Sequence, residues 1–304
     1  MADLTLLTYL GATVISLFVG FMTGIFGVGG GFLMTPALIC LLALPGNIAV
    51  GTSLAVIFVN SSFGMFKRHG SATVDVKLGL TLASGSIIGI AGGLSIMELL
   101  KNMSPLVIFG TEQVAVQYIL LCVFLLLLVG LAIFLFFDLR RNSNNDLSKR
   151  IGLFAKFNVG PFMHFASLDE PRLSAATVVA LGVVIGILTG LLGIGGGVIV
   201  LPGLIYLIGQ HTVKAAGTSL LVVWLASLVA GTGHIVQCNV ELTLLACMLV
   251  GGIVGTNFGT HLGLKLKGSK IRLYFVYAVI VAAVMVAVKL YAITFNSGIK
   301  QITH

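Results

Sequence analysis

Apolar residues in this chain come in long solid blocks rather than alternating with polar ones. The blocks lie at about 5–28, 32–44, 48–66, 76–97, 117–137, 174–193, 198–208, 214–236, 242–263 and 272–293, with short polar connections between them. Most approach the ~20 residues a helix needs to cross ~30 Å of hydrocarbon. Strands of a closed barrel would show a period-2 alternation, which is missing. The pattern predicts an all-α, polytopic transmembrane helical bundle. Two blocks are too short to span comfortably: as helices, 198–208 would reach about 16 Å and 32–44 about 20 Å. Each follows a triple glycine.

Those glycines belong to a duplicated motif. Thr23–Pro36 and Thr189–Pro202 both read T-G-x-x-G-x-G-G-G-x4-P, 166 residues apart. At the same offset Gly51-Thr52-Ser53-Leu54 matches Gly217-Thr218-Ser219-Leu220, and Gly85, Gly89 and Gly93 match Gly251, Gly255 and Gly259. A fixed internal offset signals two copies of one structural plan. The predicted organisation is a first transmembrane repeat over 1–137, a cytoplasmic connector over 138–173 and a second repeat over 174–304. The equivalent 67–77 and 234–241 connections differ in charge. Lys67, Arg68 and Lys77 flank the first, whereas the second is nearly free of basic residues. Because basic loops stay in the cytoplasm, the repeats are expected to be inverted, with short broken helices after the GxGGG motifs. Both termini then lie outside.

Only 9% of residues are charged and 58% are hydrophobic, against roughly a quarter charged in a soluble domain. The net charge of +8 is carried by short loops and by the central segment, where it serves orientation, so no nucleic-acid partner is implied. The Met1-Ala2-Asp3 start lacks a basic signal-peptide region, so the first span is expected to be retained. Cys40, Cys122, Cys238 and Cys247 are scattered and read as unpaired thiols. Residues 138–173 form the one polar interruption, with room for a small hairpin on the membrane or a plain linker.

The breaks carry the candidate chemistry. A helix that stops inside the bilayer exposes N–H and C=O groups that only protein or a wet cavity can satisfy. A helix resuming near Phe32 or Val198 would aim free N–H groups and a positive dipole end at the break, which attracts anions without a charged side chain. The expected substrate-binding residues are Gly29, Gly30, Gly31, Gly195, Gly196 and Gly197, with hydroxyls from Thr52, Ser53, Thr218 and Ser219. The competing reading is close helix packing, which is preferred for Gly85, Gly89 and Gly93 and for Gly251, Gly255, Gly259 and Gly263. Asn60 and Asn257, with Ser61 and Ser227, lie inside apolar spans and either line a cavity or bond between helices; Asn60 is included among the site residues. His69 and His234 fall near corresponding span ends and could carry protons or be incidental. Lys214 could draw anions or snorkel to the interface. No catalytic motif, intramembrane carboxylate, nucleotide motif, metal cluster or cofactor signature is visible, so the chain reads as a non-enzymatic route for a small anion.

At these residues the chain resembles the sulfite exporter TauE/SafE family of membrane permeases. The likeness rests on the duplicated glycine motif and on the A-x-G-T-S-L that follows it, Ala49–Leu54 and Ala215–Leu220, and covers about 19–97 and 174–263. It implies a multi-pass protein of the cytoplasmic membrane that moves sulfur-containing anions such as sulfite or organosulfonates, in the export direction; alternating access is the route expected of two inverted repeats. An anion channel, or a membrane partner subunit that transports nothing, remains open at this point. Oligomeric state and coupling ion are not legible.

Overall fold

The computed structural model describes residues 6–68, 74–104, 106–108, 111–113, 115–141, 160–165, 168, 172–266 and 268–299. Among them are ten α-helices. These are α1 Leu6–Phe26, α2 Gly31–Leu41, α3 Gly46–Arg68, α4 Val76–Lys101, α5 Ala115–Arg141, α6 Ala175–Leu192, α7 Gly197–Pro202, α8 Thr212–Val236, α9 Leu242–Gly263 and α10 Gly268–Ile299. A π-helical stretch, Gly203–Ile208, continues α7. Two small antiparallel hairpins complete the described structure, β1 Leu106–Ile108 with β2 Thr111–Gln113, and β3 Phe162–His164 with β4 Arg172–Ser174. Eight helices are long and apolar enough to cross a membrane, and the short ones are α2 and the α7–π segment. The protein is a multi-pass helical membrane protein.

Local signals set several helix starts. The Asp75 side chain accepts from the Leu78 N–H at 3.0 Å and caps α4, and Ser174 caps α6 by accepting from Thr177 N–H. Each cap fills one of the donors a helix start leaves open.

Packing then joins the two halves. In α9, Gly251, Gly255 and Gly259 lie on the carbonyls of Thr13, Leu17 and Phe21 of α1. In α4, Gly85, Gly89 and Gly93 lie on the carbonyls of Val179, Val183 and Ile187 of α6. A Cβ at any of these glycines would collide with backbone, so their absence sets the helix spacing. Both pairs run parallel. Helices α3 and α8 instead run antiparallel: Phe58 stacks on Trp224 at 5.9 Å, Trp224 Nε1 donates to Ser62 Oγ at 2.7 Å, Gly64 meets Leu220 and Gly231 meets Leu54. Helices α5 and α10 pack together outside this core and share an Arg272–Asp138 ion pair at 3.7 Å.

The glycine seams fasten the two halves together, because each half's first long helix lies against the other half's fourth. Backbone-on-backbone packing is the main adhesive available between apolar helices in lipid, so rocking the halves apart would break these backbone contacts.

Of the central segment, the described part is a hairpin docked on α4. Phe165 and Leu173 are buried, and Lys77 Nζ donates to the His164 carbonyl at 2.9 Å. The asparagines at 142, 144 and 145 and the mixed stretch up to residue 159 lie outside the described residues.

Candidate functional site at the paired helix breaks

Each break is built from three left-handed glycines. In the first, Gly27, Gly29 and Gly30 have φ of 70°, 72° and 72°; in the second, Gly193, Gly195 and Gly196 have 69°, 62° and 75°. Side-chain-bearing residues reach this region only at a steric cost, which explains the glycine at each place. Helix α2 starts when Met34 N–H bonds Gly30 O at 3.0 Å, and α7 when Val200 N–H bonds Gly196 O at 2.9 Å. Among the described residues, the N–H groups of Gly29, Gly30 and Gly31 and of Gly195, Gly196 and Gly197 make no backbone hydrogen bond. Successive N–H groups in such turns form an anion-attracting concavity.

The two breaks touch. A Cβ on Gly31 would fall 2.5–2.7 Å from the backbone of Ile194, and one on Gly197 would fall on the Val28 carbonyl. Gly29 and Gly195 both face Ile57 of α3 and Val223 of α8, which are themselves equivalent at the 166-residue offset. Gly27 lies against Ala216 and Gly193 against Val50, another equivalent pair.

The hydroxyls take up different tasks. Ser219 Oγ donates to the Gly27 carbonyl at 2.5 Å. Ser53 Oγ lies 2.9 Å from Val50 O, 3.4 Å from Gly193 O and 2.7 Å from Thr35 Oγ1. Thr35 also reaches Gly193 O at 3.2 Å. Each serine therefore serves the carbonyl end of the opposite half's break. The threonines were expected to offer donors beside the serines, but they face elsewhere. Thr52 Oγ1 accepts from Glu241 N–H, and Thr218 Oγ1 accepts from Asp75 N–H and Gln210 Nε2. They anchor the starts of α9 and α4.

Asn60 is different again. It is wholly buried, and neither its Oδ1 nor its Nδ2 has a partner. The amide faces Gly252 of α9, where Ser16 Oγ of α1 also points. Ser61 Oγ is likewise buried and unpartnered, whereas its counterpart Ser227 bonds the Trp224 carbonyl. An unpaired amide in an apolar interior costs roughly 1–3 kcal/mol. Asn257 turns outward and accepts from Lys67 Nζ, so it does not join Asn60. His69 lies outside the described residues. Among the described residues, the buried polar ones are Ser, Thr, Asn, Gln and His, with no Lys, Arg, Asp or Glu. The surroundings of the breaks are thus neutral in side-chain charge.

A groove of about 500 Å³ runs beside the first break, lined by Ile25, Phe26 and Leu33 next to it and by Phe18, Tyr274 and Val281 among others. Its walls are almost wholly apolar, which suits an anion poorly.

One feature went unseen in the sequence. Both short segments end alike: Ala43 and Gly209 take left-handed φ of 52° and 89°, and Leu44 N–H and Gln210 N–H reach back to the carbonyls of Leu38 and Leu204. Only the glycine was a visible signal.

The fold and this site define a polytopic membrane transport protein with two glycine-broken helices meeting at the core. The TauE/SafE sulfite exporter family matches residues 12–286, and the chain belongs to that family. It is 29% identical over 246 residues to a "probable membrane transporter protein", YjnA, of Bacillus subtilis, covering 81% of this chain and 87% of the relative. A relative of the same description from Xylella fastidiosa strain Temecula1 is 27% identical over 271 residues, covering 89% and 90%. A third, from Methanocaldococcus jannaschii, is 24% identical over 209 residues, covering 67% and 63%. No solved structure matches the chain.

Proposed function

We propose that this protein is a secondary transporter of small sulfur-containing anions, sulfite or an organosulfonate, in the cytoplasmic membrane. The supporting observation is the pair of touching breaks, which present glycine N–H groups without backbone partners from both sides of one buried point. Backbone donors suit an oxyanion because they are fixed in place and carry no net charge that would trap it. Gly29, Gly30, Gly31, Gly195, Gly196 and Gly197 would hold the anionic oxygens. Asn60 would complete the site with an amide that has no other use. Ser53 and Ser219 would hold the breaks in shape, and Thr52 and Thr218 would fix the helices around them.

The antiparallel run of α3 against α8, its equivalent at the 166-residue offset, supports an inverted repeat, as does the charge difference between the 67–77 and 234–241 connections. We take 1–137 and 174–304 as the repeats and 138–173 as the cytoplasmic connector. Alternating access would then move the cross-half pairs α1/α9 and α4/α6 as units against the core of α2, α3, α7 and α8. Export is the direction we propose, with the family's description as its support.

The test is flux of radiolabelled sulfite, thiosulfate and sulfoacetate in proteoliposomes, with thermal shift against the same anions, since a bound ligand stabilises the folded state. Wild type should saturate with at least one of them, and Gly30→Leu and Gly196→Leu should abolish uptake. Normal flux in both variants would reduce the breaks to packing elements. Single-channel currents would favour a channel over a carrier.

A further inference from the structure

The α8–α9 connection holds a polar network beside the second break. Its backbone folds back tightly: Cys238 has a left-handed φ of 56°, Cys238 N–H bonds Ile235 O, and Asn239 N–H bonds His234 O at 2.9 Å. This turn lays the Asn239 side chain over His234, which is wholly buried.

The donors and acceptors admit one arrangement. Lys101 Nζ, at the end of α4, lies 2.9 Å from Asn239 Oδ1. An ammonium only donates, so that atom must be the amide oxygen. Asn47 Nδ2, at the start of α3, donates to the same oxygen at 3.1 Å. Asn239 Nδ2 then faces His234 Nδ1 at 3.0 Å and Gln237 Oε1 at 3.1 Å. The imidazole Nδ1 must therefore accept, and the proton sits on Nε2, which donates to the Gly190 carbonyl at 2.9 Å. Gly190 lies in the last turn of α6, just before the break. Helix ends leave such carbonyls without a helical donor, and here the next one back, Thr189 O, is taken by Gly193 N–H.

We propose that His234 is a proton-binding site at the second break, and that its protonation unlatches the α8–α9 connection from α3 and α4. An added proton on Nδ1 needs an acceptor. Asn239 can supply one only by turning its amide over. Its NH₂ would then face Lys101 Nζ and Asn47 Nδ2, donor against donor, and both bonds break. Among the described residues, the charged groups around His234 are few. Lys101 acts through Asn239, Glu98 is exposed on α4, and Glu241 of α9 has its N–H on Thr52 Oγ1. From α6 it meets a backbone carbonyl. At the 166-residue offset His234 corresponds to Arg68, a permanent cation. A bearing on flux rests on the transport reading above; the unlatching does not.

The two are separable by measurement. Hydrogen exchange of residues 237–241 would be followed by mass spectrometry at about pH 8 and about pH 4, the acid value lying well below the ordinary imidazole range, with times scaled for intrinsic exchange. Loss of two hydrogen bonds should lower protection about tenfold in the wild type at the acid value. His234→Gln keeps a donor for Gly190 and cannot titrate, so it should show no change between the two values. Asn239→Asp offers a carboxylate to both the imidazolium and Lys101, and should stay protected at both. Equal acid loosening in wild type and His234→Gln, or none in wild type, overturns the proposal. If the exchange pattern holds while no anion is transported at any pH, the proton site stands and the transport reading falls.

Discussion

The two breaks share a backbone and differ in side chains. Their glycine φ values agree within about ten degrees and each meets the equivalent neighbours of the other. Yet Thr35 supplies a second hydroxyl to the Gly193 carbonyl, where its counterpart is Leu201, and Asn60 stands opposite Ala226. The continuation differs too, with α2 a regular helix and α7 passing into a π-helical stretch. Main-chain geometry is thus nearly symmetric at the two breaks, and a few side chains make them unequal. In a transporter, symmetry of that kind lets both access states use one site, while the asymmetry can select the solute.

The severest way to break the comparison is to thicken one loop. Gly197→Leu forces side-chain atoms into the Val28 carbonyl, and Gly31→Leu does the same to Ile194. Both should eliminate flux, with equal losses because the contact is reciprocal. A gap of more than about tenfold between them, roughly 1.4 kcal/mol, would show that the breaks are not energetically equivalent.

Ser219→Ala against Ser53→Ala is the next most sensitive pair. Removing Ser219 leaves the Gly27 carbonyl without its hydroxyl, at a cost of about 1–3 kcal/mol for a buried unsatisfied group. Ser53→Ala should cost less, because Thr35 still reaches Gly193 O, and Thr35→Val with Ser53→Ala should restore the full loss. Denaturation midpoints of the three variants in one detergent settle the order.

Asn60 separates function from stability. Asn60→Leu removes an unpartnered buried amide, so thermal stability should hold or rise, while flux should fall about tenfold if the amide contributes one good hydrogen bond to the moving anion. Unchanged flux would take Asn60 out of the site. The smallest effect is expected at Gly130 of α5, around which a Cβ meets nothing within 4 Å. Gly130→Ala should be neutral or stabilise by up to about 1 kcal/mol through helix propensity, in contrast with Gly255→Ala on the α1–α9 seam, which should be strongly destabilising.

Much of the architecture was legible because lipid makes it so. All ten apolar blocks are helical, with ends shifted by a few residues, since a bilayer accepts little else from long uncharged segments. The break positions were legible because three left-handed residues in four can hardly be built without glycine. The tasks of the hydroxyls were not. Thr52 and Ser53 are adjacent in sequence and differ by 100° around α3, so one meets the start of α9 and the other meets the second break. Nothing in the order of residues says which neighbour will stand there. Ala43 and Cys238 adopt left-handed backbone without glycine, and so gave no warning.

The sequence by itself determined that the chain crosses a membrane many times, that its plan is duplicated, and where its helices break. These follow from local composition and from a spacing that recurs. Only the tertiary structure decided that the glycine seams bind the halves together, that the breaks touch, and that His234 is wired to Lys101 through one amide. Those depend on which surfaces meet across some two hundred residues of chain, and contact between distant segments is set by packing rather than by any residue's own preference.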